Sequence, residues 1–210
     1  MSNLINQPQI ILIGGTSHLG KSTLGKALSL ELKGKYIATD SLARHPGRPW
    51  SIGKNKTIKP HVVEHYRSLS APQLLSNVLL HYYQNVLPLV RNLIKTHDCQ
   101  DRLIIEGSAL YPGLVKDLVS NKNVRGLWLV GSYSLLANRI FDNSNFDNAN
   151  KKERYLIYKF LQRTWLYNQA AINDLKTLGL KSIQVKCDMT VKELKDRCLW
   201  ELEISNDTSN

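Results

Sequence analysis

The sequence predicts an α/β protein in which helices flank a parallel β-sheet. Short apolar runs alternate with helix-length segments along most of the 210 residues, a pattern typical of this fold class. The first apolar run, Ile10 to Ile13, has no polar alternation and leads into a glycine-containing loop, which indicates a buried parallel strand. A chain of this length can bury one substantial core, so we expect one domain over residues 1–204 and a disordered tail at 205–210.

The loop after this first run fits the phosphate-binding pattern G-x4-G-K-[ST] without mismatch. Its glycines let the backbone approach phosphate oxygens, and successive N–H groups at the start of a helix attract an anion. The lysine can reach the β and γ phosphates, and the serine hydroxyl can ligate Mg²⁺. We therefore expect a nucleoside triphosphate with Mg²⁺ to bind at Gly15, Thr16, Ser17, His18, Leu19, Gly20, Lys21, Ser22 and Thr23.

Periodicity and turn residues place the remaining elements. The loop from Ser41 to Pro60 is rich in Pro, Gly and Arg and is expected to be irregular. Pro88 should kink or split the helix that contains it. Gly179 ends the longest helix, and Thr190 caps the last one. The predicted strands are Gln9–Ile13, Tyr36–Thr39, Arg102–Ile105, Val124–Val130 and Ser182–Lys186; the predicted helices are Lys21–Lys33, Pro72–Lys95, Pro112–Ser120, Tyr133–Phe141, Lys152–Leu178 and one from Thr190 to about Glu203.

Acidic residues follow the second and third predicted strands, at Asp40 and Glu106. Ligands of doubly wound sheets bind outside the carboxyl ends of the strands, so both carboxylates should lie near Lys21 and Ser22. A carboxylate there can hold Mg²⁺ or accept a proton from an attacking hydroxyl. We expect Asp40 to be the general base and to contact the acceptor, and Glu106, with Gly107 beside it, to serve the metal and the acceptor.

The loop after Asp40 contains Arg44, Arg48 and Trp50. An arginine fork binds a carboxylate or phosphate at two points, so we assign the two arginines to acceptor binding, with ordinary surface charges as the alternative. Trp50 either forms a wall of the acceptor site or anchors the loop to the core.

The segment after the fourth strand has the composition of a closing lid. Arg139 precedes the polar, Asn-rich stretch Asp142–Asn150, which we expect to be a mobile loop, and Lys151, Lys152 and Arg154 follow it. A lid excludes water and brings a cation to the transferring phosphate. We expect the lid to span about 139–154 with Arg139 as its catalytic cation, while Arg163 is either a further cation of this kind or a solvated charge.

These segments together resemble the small P-loop kinases, the group of adenylate, shikimate and gluconate kinases and the zeta-toxin kinases, and more closely the 2-phosphoglycerate kinase-like proteins. The resemblance covers about Ile10 to Val185 and is carried by Gly14–Thr23, Thr39–Trp50 and Glu106–Leu110. It implies a P-loop NTPase fold with a five-stranded parallel sheet in the order 2-3-1-4-5 and a lid after strand 4. It also implies transfer of the γ-phosphoryl group of ATP to a small acceptor, with Lys21 and Ser22 at the phosphates and Mg²⁺, Asp40 at the acceptor and Arg139 in the lid.

Departures from that pattern narrow the expected acceptor and nucleotide. The paired lid arginines of adenylate kinase are absent, which argues against a nucleotide acceptor, and the acid after strand 3 is Glu106 where Asp is commoner. The N-K-x-D motif of GTPases is absent, which favours ATP. The alternatives left open are an ATP-binding regulatory module with little turnover and a nucleotide kinase.

Composition limits the partners. The net charge of +11 comes from 28 basic and 17 acidic residues, but no basic helix with interleaved aromatic residues indicates nucleic-acid binding. No apolar stretch approaches the roughly 18 residues of a membrane span, and the N-terminus lacks a signal-peptide pattern.

Cys99, Cys187 and Cys198 form no C-x-x-C pair, which favours reduced thiols. We expect a cytoplasmic protein with a small-molecule acceptor, either a monomer or a homodimer.

Overall fold

One all-parallel sheet organises the part of the chain that the structure, a computed structural model, describes: residues 8–43, 47–50, 58–98 and 101–204. Its strand order is β2-β3-β1-β4-β5, which confirms the predicted order. The strands are β1 (Ile10–Gly15), β2 (Lys35–Ala38), β3 (Leu103–Glu106), β4 (Val124–Gly131) and β5 (Ser182–Val185); the helices are α1 (Lys21–Glu31), α2 (Pro60–Ser68), α3 (Ala71–His81), α4 (Leu87–Thr96), α5 (Pro112–Val115), α6 (Tyr133–Ser144), α7 (Lys151–Leu178) and α8 (Val191–Glu201).

The central strand β1 carries the phosphate-binding loop at its carboxyl end. Every residue of β1 is buried, as its continuous apolar sequence predicts. It pairs with β3 on one side and β4 on the other, with Ile13 opposite both Glu106 and Leu127. This register brings the acid at the end of β3 level with the start of the loop.

Hydrophobic residues cover both faces of the sheet. Ile11 and Ile13 pack into one cluster with residues of α1 and α8, and Leu12 packs into the other with residues of α4 and β3. Helix α7 takes part in both, since Phe160 belongs to the first cluster and Tyr167 to the second. The 28-residue helix therefore passes from one layer to the other, and the middle of it, at Thr164 and Asn168, contacts residues at the carboxyl edge of the sheet.

The predicted strands and helices are all present, with shifts of a few residues at their ends. The helix around Pro88 is interrupted as expected, by a π-helical turn at Tyr82–Val86 between α3 and α4. Two predictions need correction. The helix from Pro112 ends at Val115 and not at Ser120, and the structure has an unpredicted helix, α2.

The Asn-rich segment has more regular structure than its composition predicts. Helix α6 continues to Ser144, and a 3₁₀ turn covers Phe146–Asn148. The rings of Phe141 and Phe146 stack with centroids 4.3 Å apart. This apolar contact explains the extra order, because both rings also pack against the main hydrophobic cluster. The predicted tail at 205–210 lies outside the described residues.

Within the described ranges, no helix combines the length and apolar character needed to cross a bilayer.

Gly14 provides a test of the packing at the start of the loop. A Cβ at this position would overlap the indole ring of Trp128 and come 2.6 Å from the carbonyl oxygen of Leu110, to which Trp128 Nε1 donates a buried 2.7 Å hydrogen bond. We expect Gly14→Ala to lower the free energy of unfolding by about 3 kcal/mol, measured by urea denaturation, because neither neighbour can withdraw.

The matched control is Gly179→Ala, where a Cβ meets nothing within 4 Å and the left-handed backbone, with φ of 63°, is the one obstacle. That variant should lose about 1 kcal/mol. Equal losses in the two variants would contradict the steric explanation.

Candidate active site

The phosphate-binding loop connects β1 to α1 through three residues with positive φ. Gly15 has φ of 126°, His18 of 65° and Gly20 of 89°. A Cβ on Gly15 would meet the carbonyl oxygen of Leu129, so the close approach of the loop to β4 requires glycine there. Gly20 lies directly before α1, and Ser22 in its first turn is exposed. The unpaired N–H groups of this first turn form an anion-binding site.

Lys21 lies beneath the loop and is 8% exposed. Its Nζ donates a 2.8 Å hydrogen bond to the carbonyl oxygen of Thr16. Burial lowers the pKa of Lys21, and the carboxylates of Glu106 and Asp40 raise it. The structure thus brings together the lysine and the two strand-end acids that the sequence predicted as neighbours.

Glu106 is the last residue of β3 and is 3% exposed. Its Oε1 accepts hydrogen bonds from Ser22 Oγ at 3.0 Å and from the Tyr36 hydroxyl at 2.8 Å. Burial, together with the Glu106 carboxylate, raises the pKa of Tyr36 to about 12, so Tyr36 stays a neutral donor. Sequence reasoning missed Tyr36, although its place on the strand beside β3 was a usable signal.

The Ser22–Glu106 pair fits a magnesium ion. A hydroxyl and a carboxylate oxygen 3.0 Å apart are the hard oxygen ligands that Mg²⁺ prefers, and Mg²⁺ in nucleotide sites takes its remaining ligands from phosphates and water. In the described residues no group of three or more His, Cys, Asp or Glu side chains is placed to hold a metal by itself. The residues therefore suit a metal that arrives with a nucleotide.

Asp40 lies in a 3₁₀ turn, Thr39–Ser41, directly after β2. It is exposed, whereas Thr39 beside it is 1% exposed. Thr39 packs against Gly107, where an added Cβ would coincide with the Thr39 hydroxyl. Gly107 thus permits the close contact between the ends of β2 and β3 that places Asp40, and this is a more specific role than acceptor contact alone.

Two arginines lie close to His18 of the phosphate-binding loop. Arg139 donates a 3.0 Å hydrogen bond to the carbonyl oxygen of His18. Arg48 donates a 3.0 Å bond to Asn143 Oδ1, which lies 3.4 Å from His18 Nε2. The loop that contains Arg48, the phosphate-binding loop and α6 therefore meet at Asn143, which sequence reasoning missed because a lone amide in an Asn-rich stretch carries no motif.

The other predicted site residues have different environments. Trp50 is buried and packs edge-on against Phe160 at 4.8 Å, so it anchors its loop. Arg154 donates to the carbonyl oxygens of Ala149 and Asp147 and so braces the 3₁₀ turn. Arg44 lies outside the described residues.

Several buried polar atoms near the loop have no hydrogen-bond partner among the described residues. They are His18 Nδ1, Thr39 Oγ1, Trp50 Nε1 and Thr164 Oγ1, and a further one, His81 Nε2, lies on α3. Thr164 lies next to the loop, because its carbonyl oxygen accepts a 3.4 Å hydrogen bond from Thr16 Oγ1. Because buried polar groups ordinarily find partners, these atoms are candidates for contact with water or a polar ligand.

His18 predicts a pH dependence of stability. Burial, with Arg48, Lys21 and Arg139, lowers its pKa from 6.5 to about 4, against a raising effect of Asn143. Between these two pH values the unfolded chain binds a proton that the folded chain does not. His18 therefore leaves the free energy of unfolding unchanged above pH 6.5, lowers it increasingly as the pH falls, and lowers it by a constant amount below about pH 4. We expect His18→Asn, which tolerates positive φ, to lose about 3 kcal/mol less than wild type between pH 7 and pH 4, in urea denaturation at each pH.

His61→Asn, which changes an exposed histidine on α2, is the control and should follow wild type. Parallel pH profiles for wild type and His18→Asn would refute the assignment.

Comparison with known proteins supports the fold. No family model matches the chain, and no curated protein matches it in sequence. Among solved structures, a gluconokinase from Sinorhizobium meliloti 1021 has a TM-score of 0.54 at 16% identity, covering 93% of this chain and 92% of that one. A shikimate kinase from Aquifex aeolicus has a TM-score of 0.54 at 17% identity, covering 92% and 96%.

A deoxyadenosine kinase from M. mycoides, with dCMP and dCDP bound, has a TM-score of 0.53 at 17% identity and covers 92% of this chain and 98% of that one. The likeness to these structures shows the fold of this chain, a five-stranded parallel sheet flanked by helices. The chain therefore has the fold that these three kinases share.

Proposed function

We propose that the protein is an ATP-dependent kinase that transfers the γ-phosphoryl group of ATP to a hydroxyl, or a similar group, of a small metabolite. One observation carries the proposal: buried Lys21 lies under a phosphate-binding loop and within electrostatic reach of two carboxylates in different environments. We further propose that residues 1–204 act as one kinase domain in the cytoplasm.

The two carboxylates have the different environments that two roles require. Glu106 is buried and already accepts hydrogen bonds from Ser22 and Tyr36, which suits a group that holds position. Asp40 is exposed, and no side chain of the described residues donates a hydrogen bond to it. It is thus free to accept a proton, as a general base must be.

In the proposed reaction, the N–H groups of the loop and of the first turn of α1 bind the phosphates, and Lys21 orients the β and γ phosphates. Ser22 and Glu106 would hold Mg²⁺, which when bound neutralises charge on the β and γ oxygens. Asp40 takes the proton of the acceptor hydroxyl while the oxygen of that hydroxyl forms a bond to the γ phosphorus. The bond from that phosphorus to the bridging oxygen breaks, and ADP leaves.

The lid proposal concerns residues 139–154. Arg139 is fixed to the phosphate-binding loop by its bond to His18, and Arg48, from the chain that follows β2, donates to Asn143 beside His18. Both guanidinium groups can compensate charge on the transferring phosphate. The order of α6 and of the 3₁₀ turn after it supports a lid that moves as a folded unit.

A nucleoside or nucleotide acceptor is the second candidate, and the likeness to the deoxyadenosine kinase favours it. An ATP-binding regulatory module with little turnover would use the same loop without a chemical step. A panel of acceptors containing sugar acids, phosphoglycerates, amino-acid alcohols and nucleoside monophosphates separates these, because a regulatory module gives ADP release that no acceptor raises.

Lys21→Ala tests the nucleotide site. We expect this change to reduce acceptor-stimulated ADP release from Mg-ATP by at least about a hundredfold, because a cation at the β and γ phosphates is lost. Lys26→Ala, which changes an exposed lysine on the same helix, should behave as wild type. Full activity of Lys21→Ala would refute the kinase proposal.

Asp40→Asn tests the base. The variant keeps the shape of the side chain, so it should bind ATP with unchanged affinity but transfer phosphate at least about a hundredfold more slowly. ATP binding is measured by calorimetry and transfer by ADP release, with Asp98→Asn, another exposed carboxylate, as the control. An unchanged transfer rate in Asp40→Asn would remove Asp40 from the chemistry.

A further inference from the structure

Tyr36 lies on β2, the strand at one edge of the sheet, and contacts the acid at the end of β3. In the register of these two strands, the direct neighbour of Glu106 is Ala38, whose methyl group offers no hydrogen bond. Tyr36 comes two residues earlier on β2, so its side chain lies on the same face of the sheet as that of Ala38. From there its hydroxyl donates a 2.8 Å hydrogen bond to Glu106 Oε1.

Gly25, in the middle of α1, makes room for this contact. It is buried, and an added Cβ would lie 2.8 Å from Cε2 of Tyr36 and 3.2 Å from Cγ of Glu106. Glycine inside a helix is less favourable than alanine, so α1 gives up helical stability at a position where both side chains lie against it. The phenol ring is therefore held from two sides, by β3 and by α1.

Both hydrogen bonds of the Glu106 side chain fall on the same oxygen. Oε1 accepts from the Ser22 hydroxyl at 3.0 Å and from the Tyr36 hydroxyl at 2.8 Å. A carboxylate oxygen has two lone-pair sites, so these two donors fill Oε1. Oε2 accepts no hydrogen bond from any residue that the structure describes, and it is therefore the oxygen that keeps its lone pairs for another ligand.

Ser22 also keeps its lone pairs, because its hydroxyl is the donor in its bond to Glu106. A metal ion that arrives with the nucleotide thus meets the oxygen of Ser22 and one carboxylate oxygen. Mg²⁺ demands near-ideal octahedral geometry, whereas the larger Ca²⁺ takes more ligands in a flexible geometry and accepts a carboxylate through both of its oxygens. A carboxylate with one oxygen already filled therefore suits Mg²⁺ better than Ca²⁺.

We propose that Tyr36 is a positioning residue that makes the metal site selective for Mg²⁺ over Ca²⁺. Its hydroxyl keeps Oε1 of Glu106 occupied, so that Oε2 alone is available to the metal or to a water bound to it. Its ring, held against α1, keeps the carboxylate from turning. The inference rests on the proposed kinase function, and it goes further in assigning the metal preference to a residue outside the phosphate-binding motif.

Tyr36→Phe tests the proposal, because it removes the hydroxyl and keeps the ring beside Gly25. The probe is a non-hydrolysable ATP analogue, titrated by calorimetry into the full chain in metal-free buffer, then with Mg²⁺, and then with Ca²⁺. The gain in affinity that each metal produces measures how well the site holds that metal. The ratio of the two gains measures the selectivity of the site, and it is compared between variants under identical conditions.

We expect the gain from Mg²⁺ to fall at least about tenfold in Tyr36→Phe, the usual effect of losing a hydrogen bond to a metal-site ligand. The gain from Ca²⁺ should fall by less than about twofold, because Ca²⁺ tolerates a carboxylate that is free to turn. Binding in metal-free buffer should stay as in wild type, which also shows that the variant is folded. Tyr83→Phe, which changes a tyrosine that is 59% exposed on the π-helical turn, is the control and should keep the wild-type ratio.

A double variant shows whether Tyr36 acts through the acid. Glu106→Gln keeps the shape of the side chain and removes its charge, so it should lose most of the gain from Mg²⁺ by itself. Adding Tyr36→Phe to this background should change the ratio of the two gains by less than about twofold, since the effects of residues that act through one contact do not add.

The possible failures are distinguishable. If the wild type does not bind the analogue, the kinase function is overturned, and this inference with it. If the analogue binds without a gain from Mg²⁺, the metal site is overturned, and this inference with it. If Mg²⁺ strengthens binding but Tyr36→Phe keeps the wild-type ratio, only the role of Tyr36 is overturned. An equal loss in metal-free buffer and with both metals, or a full effect of Tyr36→Phe in the Glu106→Gln background, would likewise overturn that role.

Discussion

The buried charge of Lys21 is the constraint on which the rest of the site depends. An ammonium group removed from water is costly unless it is paired and hydrogen-bonded, and here a backbone carbonyl at 2.8 Å and two carboxylates compensate it. Those carboxylates can reach it because β3 lies beside β1 and β2 beside β3. The strand order therefore places both carboxylates where they stabilise the buried charge of Lys21 in the absence of a bound phosphate.

Helix α7 gives the site its second half. Because it passes from one layer of the molecule to the other, its middle turns lie over the carboxyl edge of the sheet. There Asn168 exchanges hydrogen bonds with both backbone groups of Gly131, and Thr164 accepts one from Thr16. The helix is thus fastened to the ends of β1 and β4, and the side chains of the turn before, Phe160 and Arg163, are positioned by those bonds.

Much of this arrangement was predictable from the sequence. The phosphate-binding loop follows from its motif, and Asp40 and Glu106 follow from their places directly after predicted strands. The contacts of Asn143 with Arg48 and His18 join distant segments, for which no local pattern exists. Tyr36 was missed for another reason, because the position of its strand beside β3 was not used. Helix α2 was missed because few of its residues are buried, among them Val62 and Tyr66, so its apolar periodicity is short.

Asn143 has a consequence for the proposed reaction, which takes two substrates. Its single side-chain oxygen faces Arg48, which we assign to acceptor binding, and His18 of the phosphate-binding loop, while its backbone belongs to α6. Any movement of α6 that breaks one of these contacts alters the other, so a change at Arg48 also changes the contacts of the phosphate-binding loop. Such sharing is a coupling free energy, and linkage requires it to be reciprocal. In the proposed kinase, one amide group would then couple the two substrates without contact between them.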